Sequence, residues 1–194
     1  TMQRKTEKET PSGKILIAAF ECLSTRGYAN VSMRDIADEA GVALSQLTYY
    51  YKNKERLFTE VINMMMDQYL NEIEVTLEST TDTKDKIASL VRFFKELIRD
   101  KPNLLKLFID FTAQALWIPS FRKQLDSLFN ALTEIIERNL PIDTVVNRNS
   151  LGYSSKCIAK LIFGALFGTS IQIILGSERD SAFESLNLAE CLLY

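Results

Sequence analysis

The chain has 194 residues, 46% of them hydrophobic and 25% charged, with a net charge of −2 and no histidine. That is enough apolar material for a full core, in one domain or in a small one joined to a larger. The missing histidine removes the commonest general base, pH switch and metal ligand, and with it most hydrolase and zinc readings. Residues 1–58 hold nine Lys and Arg against seven Asp and Glu, and residues 59–194 hold fourteen against eighteen. The basic bias is mild, and it lies at the end where a polyanion would be met.

Cys22, Cys157 and Cys191 are odd in number and far apart, which argues against a disulfide framework and for a reduced, cytoplasmic setting. Each reads as a small buried apolar residue. Only Cys157, beside Lys156 and Lys160, has the cationic surroundings a redox sensor needs. The stretch Met2 to Ser12 is polar and carries no secretory leader.

In chain order, Arg4, Lys5 and Lys8 form an arm that is either a solvated tail or a minor-groove or phosphate contact. From Ser12, Ile15, Leu16, Ala19, Phe20 and Leu23 recur at helical spacing, and Gly27 closes that helix. Val31 to Leu57 then accommodates two short helices. Ser32 and Asp35 are spaced for a capping box, so one helix runs from about Ser32 to Ala40. Gly41 stands where the chain turns sharply, with small Ala37 four residues earlier to let a second helix cross closely. Met33, Ile36, Ala40, Val42, Leu47 and Tyr50 supply the apolar seam. The second helix, about Leu44 to Tyr51, exposes Leu44, Ser45, Gln46, Thr48 and Tyr49, side chains suited to base edges and phosphates.

Gly27-Tyr28, Ser32 through Ala37, Ala40-Gly41-Val42, and Leu47 through Tyr51 followed by Lys52-Asn53-Lys54-Glu55 and Leu57 together resemble the signature of TetR-family transcriptional regulators. The resemblance covers roughly the first third of the chain. It implies an all-α fold, with an N-terminal three-helix helix-turn-helix domain followed by a larger helical bundle that binds ligand and dimerises. It further implies an inducer pocket inside the bundle, and phosphate contacts at Ser32, Arg34, Tyr49, Tyr50 and Lys54. Ala43, Ser45 and Thr48 depart from the usual Ser, Gly and Tyr. The first departure removes a helix cap worth about 1 kcal/mol. The other two fall on the base-reading face, so the operator cannot be carried over from the family.

The rest of the chain reads helical, about nine helices in all, with domains over residues 1–52 and 53–194. Asn53 caps a helix that the apolar pattern carries to about Glu78. The next helix, from Thr83, ends near Lys101-Pro102; Asn103 opens another that runs to Trp117. Pro119 starts one that reaches about Asn139, and Ile142 to Gly152 is expected as a loop. Helices over about Ser154 to Leu175 and Asp180 to Leu193 complete the chain. Cys157 to Leu175 is nearly long enough to span a membrane, but Lys160, Gln172 and the small residues around Gly164 and Gly168 fit better a helix held between a core and a second subunit. Gly164 and Gly168 are therefore the expected dimer contacts.

Met65, Tyr69, Phe93, Phe108, Phe111, Gln114, Trp117, Phe167 and Gln172 are the expected lining of a ligand pocket, although aromatics at helical spacing equally fill a core. The resulting expectation is a homodimeric repressor on a palindromic double-stranded operator, released by a small apolar or amphipathic inducer, with no cofactor, metal or membrane. The alternative is a ligand-independent DNA-binding or partner-recruiting protein of the same fold. No Ser or Cys has a recognisable activating partner, which argues against an enzyme.

Overall fold

The computed structural model describes residues 10–140, 154–176 and 179–192. The basic arm and the Ile142 to Gly152 segment lie outside these residues. Among the described residues every regular element is helical: α1 (Pro11–Arg26), a 3-10 turn (Tyr28–Asn30), α2 (Met33–Ala40), α3 (Leu44–Tyr51), α4 (Lys54–Glu78), α5 (Thr83–Asp100), α6 (Pro102–Ala115), α7 (Pro119–Asn139), α8 (Ser155–Leu175) and α9 (Arg179–Leu192).

Local chemistry places most of these boundaries. Thr10 caps α1 by accepting from the Gly13 N–H at 3.1 Å, with Pro11 in the first turn. Asn53 caps α4 through a 2.8 Å bond from the Arg56 N–H. Asp82 caps α5 by accepting from the N–H groups of Lys84 and Asp85, and Ser154 caps α8 by accepting from Cys157 at 3.3 Å. Pro102 itself opens α6, since the first helical position needs no N–H. α6 ends at Ala115, two residues short of expectation, and the Trp117 N–H closes a turn onto the Gln114 carbonyl at 3.0 Å.

The chain forms two compact units. The first combines residues up to Asp67 with Lys106–Gln124; the second combines Gln68–Leu105 with residues from Leu125 onward. In the first unit α1, α2 and α3 pack on one another around Ile15, Leu23, Ile36 and Leu47, all at most 1% exposed. Four aromatic rings extend this core. Tyr28 stacks on Phe58 at 5.0 Å, and Phe58 meets Phe111 and Phe121 edge-on at 5.4 Å each. In the second unit α5, α8 and α9 pack together, with a second aromatic chain from Tyr69 through Phe93, Phe94 and Phe163 to Phe129 and Phe167.

α8 is apolar on both faces. Ala159, Ile162, Phe163, Leu166, Ser170 and Ile173 are buried, whereas Leu161 is 71% and Leu175 77% exposed, with Gly164, Ala165 and Gln172 also at the surface. By length and composition alone this helix is long and apolar enough to cross a membrane. Of the cysteines only Cys22 is buried; Cys157 and Cys191 are exposed, because each falls on a solvent-side position of its helix.

Candidate nucleic-acid interface

The interface begins with a pair of residues that interlock at the start of α2. The Asp35 N–H donates to Ser32 Oγ at 3.2 Å, while Asp35 Oδ2 accepts from the Ser32 N–H at 2.7 Å and from its hydroxyl at 2.5 Å. These bonds from Ser32, with a smaller contribution from Arg26, hold the Asp35 carboxyl below the usual carboxylate value. Gly41 ends the helix at φ +67°, in the left-handed region, and the Val42 N–H returns to the Ala37 carbonyl at 3.0 Å. Ala43 is extended and gives α3 no side-chain cap, as the substitution for Ser requires.

α3 is anchored on one face by Leu47, fully buried, and by Tyr51, whose hydroxyl donates to the Ser12 carbonyl at 3.1 Å. Burial raises the Tyr51 phenol above its ordinary pKa. The inward tyrosine is thus Tyr51, at 8% exposure, and not Tyr50, at 39%. One residue is about 100° of helix rotation, so only the angle at which α3 leaves the Gly41 turn decides which of the two faces inward. Outward stand Ser45, Gln46, Thr48 and Tyr49, the last 81% exposed, with Leu44 half-buried. The Thr48 hydroxyl already donates within the helix, toward the carbonyls of Leu44 and Ser45, which leaves its lone pairs and methyl group facing out. Ser32, Arg34 and Tyr50 are exposed as well. The outer surface is therefore polar, with cations at its rim.

Lys54 is placed differently from the phosphate contact expected of it. Its Nζ donates to the carbonyls of Tyr28 at 2.5 Å and Val31 at 2.7 Å, and it lies over the Tyr28 ring, 4.2 Å from the centroid. Burial lowers its pKa, and the charges of Asp110 and Asp35 partly offset that. Two residues near the reader have no role that the sequence assigns. Lys52 follows α3 at φ +32°, a strained value for a side-chain-bearing residue, and is exposed. Asp110 accepts from the Tyr28 N–H at 2.6 Å and from Gln114 Nε2 at 3.2 Å. Neither Lys52, just past the end of α3, nor Asp110, a polar position within α6, carries a periodic signal of its role, so only the fold reveals it.

The expected pocket residues are not brought into one place by either unit. Met65, Phe108, Phe111, Gln114 and Trp117 belong to the first unit, and Tyr69, Phe93, Phe167 and Gln172 to the second. Phe111 is fully buried against Phe58 and Phe121. Trp117 is 82% exposed, because α6 stops before it and the turn carries it outward. Gln172 lies on the exposed face of α8. An open groove between α1 and α2 is lined by Glu21, Cys22, Thr25, Arg26, Asp35, Asp38 and Glu39, and its four carboxylates do not suit a polyanion. There the Arg26 Nη2 donates to Cys22 Sγ at 3.0 Å.

A three-helix head whose α3 keeps a polar face free, joined to further helices, defines a helix-turn-helix regulator as the class of protein. Residues 15–61 match the family model for bacterial regulatory proteins, tetR family. The chain is 26% identical over 129 residues to the HTH-type transcriptional activator FasR of Mycolicibacterium smegmatis, and 29% identical over 91 residues to the fatty acid metabolism regulator protein of Bacillus subtilis. Those alignments cover 66% and 47% of this chain but only 59% and 47% of the two relatives. Among solved structures, the transcriptional regulator FadR from Bacillus subtilis in complex with stearoyl-CoA superposes with a TM-score of 0.77 at 20% identity, covering 93% of this chain and 96% of that one. At that identity the likeness concerns the fold. The match to the TetR family of transcriptional regulators is therefore carried by residues 15–61, less than half of the chain.

Proposed function

We propose that the protein acts as a homodimer, reads a palindromic DNA operator with α3, and is released from it by an amphipathic ligand with large apolar surface. The observation that carries this reading is the solvent face of α3, where Ser45, Gln46, Thr48 and Tyr49 stand exposed while Leu47 and Tyr51 hold the other face. Ser45, Gln46 and Thr48, flanked by Leu44, meet base edges; Ser32, Arg34, Tyr49 and Tyr50 meet phosphates. Residues 1–52 form the reader, and residues 53–194 serve ligand binding and dimerisation.

One such helix covers only a few base pairs, so useful affinity needs two half-sites about one DNA turn apart or a multiple of it, supplied by a two-fold axis. The bare apolar face of α8, with Gly164 and Gly168 in it, is the dimer surface. For the ligand, the aromatic chain through Tyr69, Phe93 and Phe167 offers apolar contact, and the stearoyl-CoA named with the Bacillus subtilis structure suggests a fatty acyl compound. A preference of about 1–3 kcal/mol for the DNA-incompetent arrangement lowers operator occupancy five- to 150-fold. Repression follows where the operator overlaps a promoter. The setting is the cytoplasm, and no catalysis is assigned.

Selection from a random duplex library with the full-length protein tests this reading. The expected result is an inverted repeat, followed by release when fatty acyl-CoA is titrated in. Failure to enrich any sequence over random DNA overturns the proposal. An operator whose occupancy no acyl compound, hydrophobic cation or planar aromatic changes returns the ligand-independent alternative.

A further inference from the structure

We infer that Lys54 and Asp110 are positioning residues, which clamp the Tyr28 turn and through it the reading helices, and that Lys54 acts without touching DNA. The inference rests on the proposed DNA binding and assigns Lys54 a different part in it. The 3-10 turn Tyr28–Asn30 joins α1 to α2, so its placement sets where Ser32 begins α2 and hence how α3 is presented. Such a turn has few backbone bonds of its own; here the Asn30 N–H returns to the Gly27 carbonyl at 3.2 Å. Three further polar groups at the turn are met by side chains distant in sequence. The Tyr28 N–H is taken by Asp110 on α6, and the Tyr28 and Val31 carbonyls by Lys54 at the start of α4.

Both peptide groups flanking Tyr28 are therefore held through charge-assisted bonds, the stronger kind. The Tyr28 ring is fixed as well, between the Lys54 ammonium, the face of Phe58 and the edge of Phe121. Gln114 steadies the other oxygen of Asp110. Two of the three N–H groups of Lys54 are occupied by carbonyls and its side chain is half-buried, so a phosphate would have to compete with bonds already made. All of these residues lie within one compact unit.

A phosphate contact and a brace separate on salt. Each lost phosphate contact reduces the slope of log affinity against log salt by about 0.9, whereas a misplaced reader loses affinity with the slope kept. Lys54→Met, which keeps the stem over Tyr28, is expected to bind the selected operator about tenfold more weakly with an unchanged slope. Lys54→Arg keeps the charge but cannot place one compact donor between two carbonyls, so it is expected to lose affinity severalfold as well. A slope reduced by about 0.9 in Lys54→Met, or wild-type affinity in Lys54→Arg, overturns the role given to Lys54.

Amide hydrogen exchange of the full-length protein gives a reading that needs no DNA. Asp110→Ala should speed exchange at the Tyr28 N–H about tenfold while α8 amides keep their protection, and Asp110→Asn, which retains an acceptor oxygen, should restore most of it. Unchanged exchange at Tyr28 in Asp110→Ala overturns the clamp. If the wild-type protein enriches no duplex, the proposed function fails while the exchange experiment still decides whether Asp110 holds the turn.

Discussion

α3 and α8 each bury one face in their own unit and leave the opposite face bare, but the bare faces differ in kind. α3 presents Ser45, Gln46, Thr48 and Tyr49; α8 presents Leu161, Gly164, Ala165 and Leu175, with Lys160 and Gln172 also exposed. Polar side chains in water are already satisfied, so α3 can stand free and exchange hydration for contacts when a duplex arrives. Leucines gain from cover at all times, about 1.5–3 kcal/mol for each one fully buried. The contrast separates a surface suited to intermittent partners from one suited to a standing partner, and on that ground we propose α8 for the dimer and α3 for DNA.

Spoiling the apolar face of α8 should matter most. A Cβ added at Gly164 or Gly168 meets no atom within 4 Å, so the backbone there accepts a side chain, and Phe at exposed Gly164 or half-buried Gly168 is expected to act chiefly on association. Sedimentation should report a monomer, and operator affinity should fall on the order of 100-fold as the second half-site stops helping. An unchanged dimer in both Gly164→Phe and Gly168→Phe would move the interface to another surface.

Gln46→Ala sharpens the polar side. Discrimination against one base pair in each half-site should relax by about 1–3 kcal/mol, while binding to random duplex stays as it was. Equal loss on specific and random DNA would make Gln46 a backbone contact instead. Ala43→Ser tests the start of the same helix. The backbone there is already extended, at φ −68° and ψ 144° with no side-chain cap, so Ser should stabilise the protein by about 1 kcal/mol in urea unfolding.

The smallest effect is one of pH. The Asp35 carboxyl lies below its ordinary value of 3.8 in the folded protein, chiefly through the Ser32 bonds. Its contribution is therefore complete above that value and is lost as pH falls from there through the lowered one. Asp35→Asn should flatten the acid limb of the stability curve over that window and leave neutral-pH DNA affinity nearly intact. An unaltered acid limb would remove the capping box as its cause.

How much was legible in advance follows from the range of the interactions involved. The Ser32–Asp35 box, the Gly41 turn, the missing cap at Ala43 and the bounds of α3 depend on bonds spanning five residues or fewer, and those a sequence carries in its spacing. The all-α character has the same origin, in apolar residues repeating with the helical period. Which of Tyr50 and Tyr51 turns inward depends on the angle between two packed helices. That Trp117 points outward depends on α6 stopping two residues early. Periodicity marks Phe111 and Phe163 alike as buried aromatics, but only packing sends one to the ring cluster around Phe58 and the other to the chain around Phe129. Lys54 finds its carbonyls 26 and 23 residues away, and Asp110 finds Tyr28 across 82. Pairings at such separations leave no periodic trace in the chain, and folding alone creates the buried surroundings that turn a lysine matched to phosphate contact into a brace.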